Sequence, residues 1–206
     1  GARSVNGHYL NILGANAPRN LLVMWDALTG TLLYYLDSTD LGGALNITLE
    51  RWQPWSPAGD QFLTYNLKGE LKVWNAQSGQ LVRTLAARPG SQTEPELQAP
   101  LVDLDDLTHL FNETQDQALW SPRGDLIAAS SQDSDSVDVW LAETGELLYT
   151  VQGNFEDHRV LLGGWAPSGD RFAVRGLGGV KIFDAASGAL VSSLALPAVY
   201  VYRALW

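Results

Sequence analysis

One ten-residue frame occurs four times in this chain of 206 residues, and an internal repeat constrains a fold more tightly than any local propensity. The first copy reads Val23-Met24-Trp25-Asp26-Ala27-Leu28-Thr29-Gly30-Thr31-Leu32, and the second Lys72-Val73-Trp74-Asn75-Ala76-Gln77-Ser78-Gly79-Gln80-Leu81. The third is Asp138-Val139-Trp140-Leu141-Ala142-Glu143-Thr144-Gly145-Glu146-Leu147, and the fourth Lys181-Ile182-Phe183-Asp184-Ala185-Ala186-Ser187-Gly188-Ala189-Leu190. An aromatic residue, Ala, Ser or Thr, Gly and Leu keep their places in every copy. A second phrase precedes three of these frames: Trp55-Ser56-Pro57-Ala58-Gly59-Asp60, Trp120-Ser121-Pro122-Arg123-Gly124-Asp125 and Trp165-Ala166-Pro167-Ser168-Gly169-Asp170. A worn version, Ser4-Val5-Asn6-Gly7, precedes the first, and the glycines of the two phrases lie 23, 20, 21 and 19 residues apart in the four units.

Each phrase is turn chemistry between apolar segments. Proline presets φ for the second residue of a turn and glycine supplies the positive φ that follows. The Ser/Thr-Gly pair after each aromatic suits a short hairpin loop with glycine in the left-handed position. Between the turns lie runs such as Leu71-Lys72-Val73-Trp74 and Val137-Asp138-Val139-Trp140, whose period-two alternation predicts strands with a buried face. With the segment entering each phrase Trp, the pattern predicts four antiparallel strands per unit. The fold class is therefore all-β, a β-propeller built of four-stranded antiparallel blades with about four repeats in this chain.

The two phrases together resemble the WD40 repeat, and the resemblance covers nearly the whole chain. The last two frame glycines are 43 residues apart, within the period of that family. The resemblance implies blade 1 at about 3–37, blade 2 at about 47–86, an inserted loop at about 87–116, blade 3 at about 117–152, blade 4 at about 160–196, and a closing strand or the start of a next blade at about 200–206. WD40 repeats usually carry an Asp six residues before the blade aromatic and a Gly-His pair. Here Arg19, Lys68, Ser134 and Leu177 take the Asp position, and no Gly-His pair occurs. This implies diverged repeats whose blades rely on apolar packing, in a fragment of a longer ring or a half-ring that pairs with another chain. The first blade is expected to lack its innermost strand.

Charge and composition narrow the partners. Lys and Arg number 13 against 23 Asp and Glu, a formal net charge of -10, so nucleic acid is not an expected partner. No apolar run is long enough to cross a bilayer, so no membrane partner is expected. The absence of Cys removes disulfides, thiolate metal sites and Cys nucleophiles together. His8, His109 and His158 stand in separate units without neighbouring ligands, so no metal and no cofactor are expected. Asp133-Ser134-Asp135-Ser136-Val137-Asp138 alternates carboxylates as a Ca²⁺ loop does, but lacks the Gly and distal Glu and falls where a hairpin is required. Asp60, Asp125 and Asp170 recur in register, which argues for turn structure over catalysis. No catalytic residue is assigned.

The repeat is broken once, across the inserted loop. It opens with the loop-like Arg88-Pro89-Gly90-Ser91 and contains Leu104, Leu107, Leu110 and Phe111 at helical spacing, so a short helix over Leu101 to Phe111 is expected there and nowhere else. Glu94, Glu96, Asp103, Asp105, Asp106, Glu113 and Asp116 oppose only Arg88, which suits a protein partner with a basic surface. Candidate partner-binding residues are Asp103, Asp105, Asp106, Leu107, His109 and Phe111, with Trp52 outside the repeated positions. Trp25, Trp74, Trp140 and Phe183 are expected to pack between blades, with Gly30, Gly79, Gly145 and Gly188 as repeat turns. The functional expectation is a non-catalytic scaffold or sensor module within a larger protein. The alternative is the propeller domain of a hydrolase-type enzyme, carrying or gating a site not visible in this sequence.

Overall fold

The computed structural model describes residues 2–3, 7–13, 21–42, 54–65, 70–85, 118–130, 135–155, 160–201 and 206. Four antiparallel sheets follow one another along the chain. The first is ordered β1 (Ala2–Arg3), β2 (His8–Leu13), β3 (Leu21–Asp26), β4 (Leu32–Leu36). After a helical turn, α1 (Ser38–Leu41), the second contains β5 (Gln61–Tyr65), β6 (Leu71–Asn75) and β7 (Leu81–Thr84), with Trp55 bridging to Phe62 on its inner side. The third runs through β8 (Ala118–Trp120), β9 (Leu126–Ser130), β10 (Ser136–Leu141) and β11 (Leu147–Gln152), and the fourth through β12 (Leu161–Trp165), β13 (Arg171–Asp184) and β14 (Leu190–Tyr200). Each sheet is thus a meander in chain order, the construction of a propeller blade.

β13 contains both middle strands of the fourth blade. Its first leg pairs with β12 through Trp165↔Phe172 and Leu162↔Val174, and its second with β14 through Phe183↔Leu190 and Val180↔Leu194. The rings of Phe172 and Phe183 stack with centroids 5.6 Å apart, which a straight strand rising about 3.3 Å per residue cannot achieve. The chain reverses at Gly178 and Gly179, whose φ values of 88° and 156° suit glycine. A Cβ at Gly179 would also run into the Leu194 carbonyl oxygen.

Three apolar clusters lie between consecutive blades and form the core. Leu22, Met24, Leu36 and Leu41 from the first blade and its following turn meet Phe62, Trp74 and Ala76 of the second. Leu63, Leu71, Val73 and Leu85 of the second meet Trp120, Ile127, Trp140 and Ala142 of the third. Val137, Val139 and Val151 of the third meet Leu162, Trp165, Phe172, Phe183 and Ala185 of the fourth. Every blade therefore presents a forward flank of aliphatic residues to the rear flank of the next, where the aromatics stand. Fully burying one such side chain contributes about 1.5–3 kcal/mol, so the junctions carry the stability of the stack.

Three sequence expectations need correction. Trp25 is half-buried, whereas Trp74, Trp140 and Phe183 are buried, because no described blade precedes the first and covers its rear flank. The innermost place of the first blade is occupied: Ala2 and Arg3 pair with Leu10 and Tyr9 of β2. A helical turn forms at Ser38–Leu41, outside the stretch where any helix was expected. The Asp37 carboxylate accepts from the backbone N–H groups of Thr39 and Asp40 at 2.7 and 3.2 Å, and the Asp40 carboxylate accepts from the Asp37 N–H at 3.0 Å. Those are reciprocal caps for a helix start. Leu41, fully buried in the first junction, anchors the turn. The turn lies between two blades, so the meander within each is intact. The helix expected over Leu101 to Phe111 lies outside the described residues.

Candidate functional site

The repeated polar residues serve the turns. Ser56 Oγ donates to Asp60 at 2.8 Å and accepts from the Gln61 N–H at 3.1 Å; Ser121 repeats this with Asp125 at 2.6 Å and Leu126 at 3.1 Å. In the fourth blade Ala166 replaces that serine and Ser168 donates to Asp170 instead, which holds the Asp170 carboxyl below the usual carboxylate range. In the other turn, Asp26, Asn75 and Asp184 each accept two backbone N–H groups through one side-chain oxygen, closing an Asx turn. The Asp184 carboxyl is likewise lowered, first by the Ser187 hydroxyl and then by the Ser187 N–H. These carboxylates are exposed and engaged by their own turns, an arrangement suited to structure rather than to proton transfer.

Two features that the sequence did not reveal join the blades. The first is a ladder of indole N–H groups. Trp120 donates to the Pro54 carbonyl at 3.0 Å, Trp165 to the Leu119 carbonyl at 3.4 Å and Trp206 to the Gly164 carbonyl at 3.3 Å. Each acceptor immediately precedes the phrase Trp of the earlier blade, and Trp206 follows the same pattern on the fourth blade.

The second is a tyrosine clasp on the outer strands. Tyr34 Oη donates to the Ala76 carbonyl at 2.6 Å and Tyr149 Oη to the Ala185 carbonyl at 2.5 Å, each reaching from one blade to the frame turn of the next. The rings lie over the frame glycines: a Cβ on Gly79 would stand 2.7 Å from the Tyr34 ring, and one on Gly188 2.7 Å from that of Tyr149. At the same register in the second blade, the Arg83 stem covers Gly145 with Leu85. Burial pushes the Tyr149 hydroxyl up to about 12, with the Asp184 charge adding to it, and burial raises Tyr34 further. The sequence signal was present in Leu32-Leu33-Tyr34 and Leu147-Leu148-Tyr149, but the acceptors are backbone carbonyls, which no motif marks.

Lys72 and Lys181, one residue before the central position of the third strand, also reach back across junctions. Lys72 Nζ donates to the Asp40 carbonyl at 3.4 Å; Lys181 Nζ donates to the carbonyls of Gly153 and Asn154 and sits 5.0 Å from the Phe155 ring centroid.

What the blades leave exposed is also periodic. Leu32 and Leu33, Leu81 and Val82, and Leu190 and Val191 are exposed pairs at the start of three outer strands, and Leu148 continues the row in the third blade beside half-buried Leu147. Among the described residues, no three His, Asp or Glu side chains gather as metal ligands, and no helix is long and apolar enough to cross a membrane. The partner candidates Asp103, Asp105, Asp106, Leu107, His109, Phe111 and Trp52 all lie outside the described residues.

Consecutive antiparallel meanders joined flank to flank define a β-propeller fold. The chain is similar in structure to a solved C-terminal WD40 domain of Sif2, with a TM-score of 0.63 and 13% identity, over 98% of this chain. It spans a little under half of that solved chain, 46%, and at this identity the likeness concerns the fold alone. A hydrazine synthase from Kuenenia stuttgartiensis aligns with a TM-score of 0.49 and 14% identity over 71% of this chain and 35% of its own. No family model matches the sequence, and no curated protein matches it.

Proposed function

We propose that the chain is a non-catalytic protein-interaction scaffold, the described blades forming a rigid support for docking surfaces. The observation that carries this reading is the apolar row on the outer strands. Leu32, Leu33, Leu81, Val82, Leu148, Leu190 and Val191 are exposed in register across four blades, while the repeated polar groups are engaged in turns. Large apolar side chains kept exposed in a periodic row suit contact with another protein, since solvated surfaces otherwise scatter them singly. The WD40-type fold supports the same reading, such propellers commonly serving as interaction platforms.

The inserted segment 87–116 is the second docking element of the proposal. Asp103, Asp105 and Asp106 would steer a basic partner, and Leu107 and Phe111 would supply contact area, with His109 of the same segment and Trp52 as further candidate contacts. Loops long enough to break a regular repeat commonly serve binding, because the scaffold beneath tolerates them. The test replaces 87–116 by a short Gly-Ser connection and compares folding, by circular dichroism and melting, with capture of partners at low and high salt. The proposal expects an unchanged fold, loss of captured partners and weaker capture by the parent as salt rises. A folded variant that captures the same proteins as the parent overturns the role of the segment.

A further inference from the structure

The second and third blades carry apolar side chains that a further blade would not cover. Both flanks of each are packed against a neighbour within the chain, yet Leu81, Val82 and Leu148 at the start of their outer strands remain 47, 39 and 41% exposed. Those strands start at the end of the blades where phrase and frame turns abut, the Ala76 N–H donating to the Asp60 carbonyl and the Ala142 N–H to the Asp125 carbonyl. That end is acidic. Asp60, Asp125 and Asp170 of the phrase turns and Asp26 and Asp184 of the frame turns are held by hydroxyls or backbone N–H groups of their own turns. Arg123 and Arg171 lie 3.7 and 3.9 Å from Asp125 and Asp170. The third frame differs, since Leu141 stands where Asp26, Asn75 and Asp184 close Asx turns. Its carboxylates fall instead on Glu143 and Glu146, both exposed, and among the described residues no hydrogen bond or ion pair holds either one. Gly145 between them packs on the second blade, where a Cβ would stand 3.2 Å from Leu85 and 3.3 Å from the Arg83 stem. The two glutamates therefore border the strand of Leu81 and Val82 and lead into that of Leu148, with Arg83 as the one cation beside them among the described residues.

We infer, building on the scaffold reading above, that this rim docks a basic, apolar-rich segment of another protein. Its aliphatic side chains cover Leu81, Val82 and Leu148, and its Lys or Arg side chains meet Glu143 and Glu146. Charge selects this occupant. The chain's own segment 87–116, whose acidic residues oppose only Arg88, has the same sign as the two glutamates, and so has a second copy at a formal net charge of -10. A basic segment instead gains attraction from carboxylates that the turns leave unused, and it removes from water a row of large apolar side chains.

Fluorescence anisotropy of a labelled leucine-lysine peptide, titrated with the full chain at low and high salt, tests this. Saturable binding that weakens as salt rises is expected, with none for the same peptide made with glutamate in place of lysine and less for serine in place of leucine. The double variant Glu143→Lys, Glu146→Lys should weaken binding about tenfold. Val82→Ser, Leu148→Ser should also weaken it about tenfold. Both should keep the parent's circular dichroism, because all four side chains are exposed. No saturable binding by the parent overturns the inference, as does binding that neither double variant weakens. Binding lost when 87–116 is replaced by the Gly-Ser connection but kept in Glu143→Lys, Glu146→Lys also overturns it, and leaves the role of that segment standing. The reverse pattern supports the rim, whatever partner capture shows for the segment.

Discussion

The second and first blades present the same residue at the same place with opposite surroundings. Trp74 stacks at 6.3 Å on Phe62, donates its indole N–H to the Thr64 hydroxyl at 2.8 Å and is 3% exposed, because the first blade lies over it. Trp25, in the identical frame, is half-buried. The contrast teaches that the frame aromatic is not buried by its own blade. Its burial comes from a neighbour, and so does most of what it contributes to stability.

The largest expected effect sharpens this contrast. Trp74→Ala removes a large core aromatic and should cost about 3–5 kcal/mol, whereas Trp25→Ala in dilute solution should cost clearly less. Urea midpoints of the two variants measure it, and equal losses would break the comparison. Next comes the frame glycine. Gly188→Ala combines a positive φ of 69° with a collision against the Tyr149 ring and should cost about 2–4 kcal/mol. Gly30→Ala meets open space at φ 70°, so only the backbone conformation opposes it, at about 1–2 kcal/mol. Matched thermal melts separate the two, and a Gly30→Ala loss as large as that of Gly188→Ala would mean that the glycine socket contributes nothing.

The smallest effect is a pH dependence of the clasps. Tyr149 has its hydroxyl raised to about 12 from an ordinary value of about 10, so the unfolded chain releases this proton first as pH rises. The associated stability is fully present below pH of about 10 and declines as pH rises through about 12. Stability measured by urea midpoint from pH 8 to 11.5 should be level and then fall, and Tyr149→Phe should flatten part of the descent. An unchanged profile in that variant would remove the clasp as its cause.

Much of the local architecture was legible because it is local physics. Proline and glycine at fixed offsets in Trp55-Ser56-Pro57-Ala58-Gly59 define a turn wherever they occur, and Gly59, Gly124 and Gly169 all adopt the positive φ that reading requires. The alternation in Leu71-Lys72-Val73 names the flank that meets the third blade, while Trp74 on the opposite face is buried under the first. The register of Asp60, Asp125 and Asp170 likewise pointed to turn structure, and serine hydroxyls hold all three. By contrast α1 depends on Leu41 finding a junction to fill, and its four residues are too few to leave a periodic signal.

The sequence by itself determined the repeat, the strand-and-turn order of each blade and which residues would face another sheet, since these follow from side-chain period and backbone preference along a few consecutive residues. Only the tertiary structure decided how blades hold one another. The indole rungs end on Pro54, Leu119 and Gly164 and the tyrosine clasps on Ala76 and Ala185. In every case the acceptor is a backbone carbonyl, a group all residues carry, so no residue type announces it. The burial of a repeated side chain was decided there too. Trp25 and Trp74, like Leu194 and Leu85, are alike within their own blades and differ in whether a neighbour removes them from water.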